Sequence, residues 1–249
     1  MFKPKHRRLV FVRAGDDSLH PQWIDPKIER NWDLFVSYYD NTKTEDKSAD
    51  FFVAGGLSKF QHLKELIKEN PDFFFHYDYI WVVDPDVAIS PQGIENLFDI
   101  STNYHLAISQ PSLSHNSFIN HPITAHHPSF ILRRTNFVEV MCPMFSRNAL
   151  RVCWESFDKS ISSFGLDVLW SYLLNPEQVP FAVIDEVQAK HSKPLDIQNG
   201  AWYQFLREHN IDHRKEYNSI FEFLGIENFQ IKMLSAIQKN HGLIKIKNL

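Results

Sequence analysis

Tyr77-Asp78-Tyr79-Ile80-Trp81-Val82-Val83-Asp84-Pro85-Asp86-Val87 is an apolar, β-branched and aromatic run that stops on two carboxylates separated by one residue. Runs of this kind read as buried strands. Side chains at i and i+2 of a strand share a face, so Asp84 and Asp86 are expected to project together. Pro85 cannot donate to a sheet ladder, which puts the break at a strand end, and it pushes Asp84 toward extended backbone. Two close carboxylates repel unless a cation sits between them, and hard oxygen ligands suit Mg²⁺ or Mn²⁺. The stretch therefore predicts a strand of an α/β sheet that delivers a carboxylate pair to a binding edge. On its own, Asp-x-Asp is a short motif that unrelated chemistries share.

The chain around it has 249 residues, 43% hydrophobic and 22% charged, which is ordinary globular composition for one α/β domain. A chain of that size buries roughly 70–75% of its unfolded surface and needs no staples. A net charge of -4 speaks against a general nucleic-acid binder, which would be basic. Two cysteines, Cys142 and Cys153, make no disulfide framework and lack zinc-type spacing, so a pair of buried reduced thiols is expected. No apolar run approaches the ~20 residues of a membrane span. Leu9–Val12, behind a basic start, is too short for the apolar core of a signal peptide. The expected location is cytoplasmic.

Upstream of the central run, Leu9–Arg13 reads as a first buried strand followed by the polar loop Ala14–Ser18. Ligands of open α/β sheets bind outside the carboxyl ends of strands, which places Arg13 and Asp16 at such an edge. Neither a G-x-G-x-x-G nor a Walker-type loop is present, against dinucleotide or P-loop chemistry. Asp33–Tyr39 predicts a second strand ending at Asp40, a turn former or a second edge carboxylate. Gly55-Gly56 precedes a helix with apolar residues at 60, 63, 66 and 67, ending near Asn70-Pro71. Lys59 lies in its first turn, where a cation is unfavourable to the helix dipole, and so is a candidate phosphate or ribose contact or simply a solvated lysine.

Downstream, Ser90-Pro91 is a helix start and Leu106–Pro111 a strand end. Ser112–Ser129 carries His115, His121, His126 and His127 without zinc spacing and reads as an exposed mobile loop able to close over a substrate. Phe137–Phe145 is apolar except for Glu139, either on the polar face of an edge strand or a substrate-facing acid. Ser146 caps a helix to about Asp158, and another begins near Gly165 with Asp167 in its first turn. Asp167 is then either helix-start chemistry or a carboxylate that takes a proton from a substrate hydroxyl. Val179–Asp185 is the last clear strand, and His191 beyond it is a structural histidine or a third metal ligand. From Ala201 onward the pattern is helical and amphipathic, and Lys232, Lys239, Lys245 and Lys247 raise peripheral contact with the membrane's inner face.

The ordered set carries more than any single motif. Asp40, Gly55-Gly56-Leu57-Ser58-Lys59-Phe60 and Tyr77–Asp86 are followed by Ile108-Ser109-Gln110-Pro111. Phe137–Arg147, Phe164-Gly165-Leu166-Asp167 and Lys190-His191-Ser192-Lys193-Pro194 complete it. Over roughly residues 8 to 195 this set resembles the domain of unknown function 707 family, whose members resemble glycosyltransferases of the type A fold (GT-A). The resemblance implies a Rossmann-like mixed, mainly parallel sheet flanked by helices in a single domain. Residues 8–195 form its α/β core and 196–249 a C-terminal helical extension. It implies a UDP- or GDP-linked nucleotide-sugar donor, a glycan or glycoconjugate acceptor, and Mn²⁺ or Mg²⁺ on the diphosphate. Asp86 and His191 would bind the metal and Asp84 the ribose or a metal-bound water. Arg13, Asp16, Asp40 and Lys59 would hold the nucleotide, Asp167 would be the catalytic acid facing the acceptor, and Glu139 and Lys193 would contact a sugar. Many members carry Asp-Glu-Asp where this chain has Asp84-Pro85-Asp86, so proline keeps the outer carboxylates and removes a third.

Two other readings compete with a metal-dependent glycosyltransferase. A haloacid-dehalogenase-type phosphatase also uses Asp-x-Asp after an apolar strand, but wants Thr or Val where this chain has Ala88. A non-catalytic nucleotide- or carbohydrate-binding module would keep the fold alone.

Overall fold

The computed structural model describes residues 2–239 and 242–245. The first half of the chain contains β1 (Arg8–Ala14), β2 (Asp33–Tyr38), β3 (Phe51–Ala54), α1 (Lys59–Glu69) and α2 (Pro71–Phe74). Next come β4 (Tyr79–Val83), β5 (Val87–Ala88), α3 (Pro91–Asn103), β6 (Ile108–Leu113) and β7 (Phe130–Thr135). The second half has β8 (Met144–Ser146), α4 (Arg147–Cys153), α5 (Leu166–Leu174) and β9 (Phe181–His191). It closes with α6 (Ala201–Glu208), α7 (His213–Leu224), β10 (Met233–Gln238) and β11 (Gly242–Lys245).

The strands line up as β11-β10-β7-β9-β6-β8-β4-β1-β2-β3. β1, β2, β3, β4, β6, β9 and β10 point one way, while β7, β8 and β11 run against them. This is the mixed, mainly parallel sheet flanked by helices that the sequence implies. From β1 the chain goes to β2 and β3 on one side and returns to β4 on the other. The carboxyl ends of β1 and β4 therefore border a topological switch point, where open α/β sheets bind ligands.

Strand alternation divides the core. Leu9 and Phe11 of β1, with Ile80 and Val82 of β4, face a phenylalanine-rich layer under α1, α2, α4 and α5. Val10 and Val12, with Trp81 and Val83, face the other layer, with Trp23, Trp32 and α3. Both central strands are thus buried on both faces, which is why they read as continuous apolar runs. The expected caps form: Ser90 Oγ accepts from Gly93 N at 3.0 Å and Ser146 Oγ from Ala149 N at 3.2 Å. Cys142 and Cys153 are free and buried.

Three expectations need correction. The C-terminal segment is helical only to Leu224, after which β10 joins the sheet against β7. There Lys239 pairs with Glu186 at 3.0 Å, while Lys247 lies outside the described residues. Residues 137–143 form a buried loop rather than a strand, and only Met144–Ser146 pairs, short against β4 and β6. The histidine-bearing loop is strapped down. Arg133 of β7 bridges Asp185 of β9 bidentately at 2.7 and 2.9 Å and donates to the Ile123 and Ala125 carbonyls. No helix among the described residues is long and apolar enough to cross a membrane.

Candidate functional site

β4 ends at Val83, and Asp84-Pro85-Asp86 is a turn rather than more strand. The two carboxylates sit in that turn and take different partners. Asp84 turns to Lys59, whose Nζ donates to its Oδ1 at 2.6 Å and to the Val140 and Met141 carbonyls at 2.7 and 3.1 Å. Lys59 is buried, which settles the odd cation at the start of α1: it answers a carboxylate and two carbonyls. Asp86 turns instead to His191, with Oδ2 and Nε2 3.2 Å apart. The end of β9 is brought there by β5, which pairs Val87 with His191 after β9 leaves the main sheet. The loop after β1 closes the same edge, Leu19 N donating to the Pro85 carbonyl at 2.7 Å.

His191 has the orientation of a metal-binding histidine, because Nδ1 lies 3.0 Å from the Phe118 carbonyl and leaves Nε2 facing Asp86. Burial disfavours the imidazolium, but the Asp86 hydrogen bond and charge outweigh it and raise the pKa to about 9. Burial and the like charge of Asp86 raise the Asp84 carboxyl against the pull of Lys59. Its side chain is 36% exposed, so solvent screens its pairing with Lys59. Among the described residues no three His, Cys, Asp or Glu side chains converge on one metal position. The donor set nevertheless suits a hard divalent cation at two points, Asp86 and His191, leaving other positions for water and phosphate oxygens.

The second half of the site is built on the turn 139–141. Glu139 is 4% exposed, and Gln110 of β6 holds its backbone, accepting from Glu139 N at 2.7 Å. Asn120 donates to Glu139 Oε1 at 3.3 Å, His121 lies 4.0 Å away, and Oε2 is buried without a partner among the described residues. Burial first, with Asp84 adding to it, raises the Glu139 carboxyl despite His121. Asp167 is 8% exposed at the start of α5, behind Gly165, which takes φ +85°. Burial raises its pKa to about 7, against the amides of Val168 and Val140, and Glu139 adds to the rise. Two consecutive residues thus join both halves: Val140 N reaches Asp167, while the Val140 and Met141 carbonyls reach Lys59 and, through it, Asp84. Nothing in the sequence flags this, because the turn makes all three contacts with backbone atoms.

The remaining candidates separate. Arg13 is fully buried, donating to Ser37 Oγ at 2.7 Å, beside His62 Nδ1 at 2.8 Å, and to the Gly55 and Gly56 carbonyls. It clamps the glycine turn from beneath, and Tyr39 covers its guanidinium at 4.3 Å. Gly56 is required there, since φ is +82° and a Cβ would lie 2.3 Å from the His62 ring. Asp16 accepts from Tyr38 Oη at 2.6 Å, and Asp40 caps its own turn, accepting from Thr42 N at 2.7 Å. Asp16 and Asp40, after the carboxyl ends of β1 and β2, are exposed, as is Lys193, 3.5 Å from Asp17. Gln110, Asn120 and His121 are additions; the only sequence signal was polar residues beside apolar runs.

Fold and site together define an α/β protein with a cluster of paired polar side chains at the switch point of its sheet. Residues 30–136 match the family described as Protein of unknown function (DUF707). That match spans Asp40, Lys59, Asp84 and Asp86 and stops before Glu139, Asp167 and His191. No curated protein matches. Among solved structures, the crystal structure of S. aureus TarS 1-349 in complex with UDP-GlcNAc is similar. Its TM-score is 0.48 at 10% identity, covering 88% of this chain and 71% of that one.

Proposed function

We propose that the protein is a metal-dependent glycosyltransferase, moving a sugar from a UDP- or GDP-linked donor to a glycan or glycoconjugate acceptor. The observation that carries this is that one turn joins the Lys59–Asp84 pair, next to Asp86 and His191 at the sheet's carboxyl edge, to the buried acid Asp167. Asp86 and His191 pair at the sheet's carboxyl edge, where His191 would release its proton on taking a cation at Nε2, while burial raises Asp167 to about 7. Environments that push titratable groups apart are how acid and base roles are divided.

Asp86 and His191 would hold Mn²⁺ or Mg²⁺, which, when bound, neutralises a diphosphate as it leaves. Lys59 keeps Asp84 in place for the ribose or a metal-bound water, and the exposed Asp16 and Asp40 face the nucleoside. Asp167 takes the proton of the acceptor hydroxyl. That oxygen forms its bond to the anomeric carbon as the bond from that carbon to the phosphate oxygen breaks, the electron pair leaving with the diphosphate. Asp167 titrating at about 7 is half ionised at neutral pH, where a general base combines availability with proton affinity.

The test is calorimetric titration of UDP and GDP with and without Mn²⁺, on wild type and Asp86→Ala. Mn²⁺ should tighten binding of one nucleotide at least tenfold in wild type and not in the variant. Nucleotide binding that ignores both Mn²⁺ and the substitution removes the proposal.

A further inference from the structure

Beyond the acid pair, a cavity of about 470 Å³ opens between the C-terminal half of α5, the end of β7 and the chain entering β10. Its volume lies in the range of small-ligand sites. Its walls include Asn136, Tyr172, Asn175, Asn228, Phe229 and Gln230.

Helical register ties this cavity to the chemistry. Asp167 and Ser171 are spaced by four on α5 and so share a face, and Asn175 follows as the helix's C-cap. Ser171 lines the cavity, and its hydroxyl donates to the Asn136 carbonyl at 2.5 Å with the Asp167 carbonyl 3.1 Å away. The inner wall thus begins about one helical turn, roughly 5–6 Å, from the acid. The loop packed along α5 repeats the relation, with Asn136 at the cavity and Glu139 and Val140 at Asp167. A line of rings joins the two places: His121 to Phe137 at 4.8 Å, Phe137 to Phe229 at 6.4 Å, and Phe229 to Tyr172 at 6.2 Å.

The lining says what would enter. Tyr172 is 47% exposed, a large ring face left open to solvent. The side-chain amides of Asn175, Asn228 and Gln230 are exposed and form no hydrogen bond among the described residues. Amides offer both donors and acceptors, which matches hydroxyl groups that do the same. Glu177 and Lys232 at the wall cancel in charge, which fits a neutral ligand better than an anion. Rings for the C–H faces and amides for the hydroxyls suit a saccharide.

We propose that this cavity is the acceptor subsite, binding a neutral oligosaccharide whose terminal hydroxyl reaches Asp167 along the face of α5. The inference rests on the glycosyltransferase reading and names where and what its acceptor is. It is tested by screening the whole chain against an array of hexose and N-acetylhexosamine oligosaccharides. The retained glycans are then titrated by calorimetry against wild type, Tyr172→Ala, Asn228→Ala and the distant Tyr104→Ala. All three positions are exposed, so the variants should fold, which circular dichroism checks. Affinity should fall about five- to tenfold in the first two, as loss of one aromatic or hydrogen-bonded contact predicts, and stay unchanged in Tyr104→Ala. If no oligosaccharide is retained, or retention is indifferent to Tyr172 and Asn228, the subsite is refuted. Nucleotide titration of wild type separates the two failures, since Mn²⁺-dependent UDP or GDP binding would then persist.

Discussion

Asp167→Asn should make the protein more stable above neutrality while removing transfer, and the pH dependence of that gain is calculable. The carboxyl titrates at about 7 in the folded chain because burial disfavours its charge, against an ordinary 3.8. The folded state thus holds the proton more tightly, so stability is lost as pH rises from the lower value through the upper one. Each unit is worth about 1.4 kcal/mol, so the cost of ionising Asp167 grows by about 3 kcal/mol between pH 5 and pH 7 and then levels. Asparagine carries no such cost. It can still accept from the Val168 amide but leaves one other amide worse served, which subtracts about 1–2 kcal/mol at every pH. Comparing variant minus wild type at pH 5 and pH 8 cancels that fixed loss. At 2–4 °C per kcal/mol for a chain of this length, the difference in melting temperature should widen by about 6–12 °C across the interval. Thermal unfolding by circular dichroism at both pH values measures it. A difference that stays constant within 2 °C means Asp167 is not a neutral buried acid, and its assignment as the base fails with it. The same shift predicts that transfer by wild type falls on acidification through pH 7, as the base becomes protonated.

Two further outcomes follow from the buried cations Lys59 and Arg133. Lys59→Met should cost about 2–3 kcal/mol, read in urea unfolding, because the Val140 carbonyl loses its donor while Met141 keeps the Asp84 amide. The half-exposed Asp84 contributes little of that loss, so Asp84→Asn should cost clearly less; equal losses would contradict the assignment. Arg133→Met strands the fully buried Asp185 carboxylate and should cost about 3–5 kcal/mol, with faster amide exchange through residues 114–127. Pairing it with Asp185→Leu should restore much of the stability; a double variant as weak as the single one would show that the ion pair is not the strap.

Hydrophobic pattern and local chemistry determined the frame from sequence alone. Two-sided burial makes β1 and β4 continuous apolar runs, so their positions and the edge they deliver were legible without knowing their neighbours. The caps at Ser90 and Ser146, and the turn glycines before α1, were equally local. The tertiary structure decided what the polar residues do. Asp84 and Asp86 take different partners in the turn after β4, and those partners, Lys59 and His191, arrive from α1 and β9. Arg13 became an internal clamp because the loop after β3 wraps over it. β10 fills the sheet edge beside β7, an assignment that depends on a partner roughly a hundred residues away and on no periodicity of its own. The join between Asp84 and Asp167 runs through main-chain atoms of Val140 and Met141, which every sequence possesses and no residue identity announces. A carboxylate's position can be read from its strand; its charge depends on what burial and the returning chain place beside it.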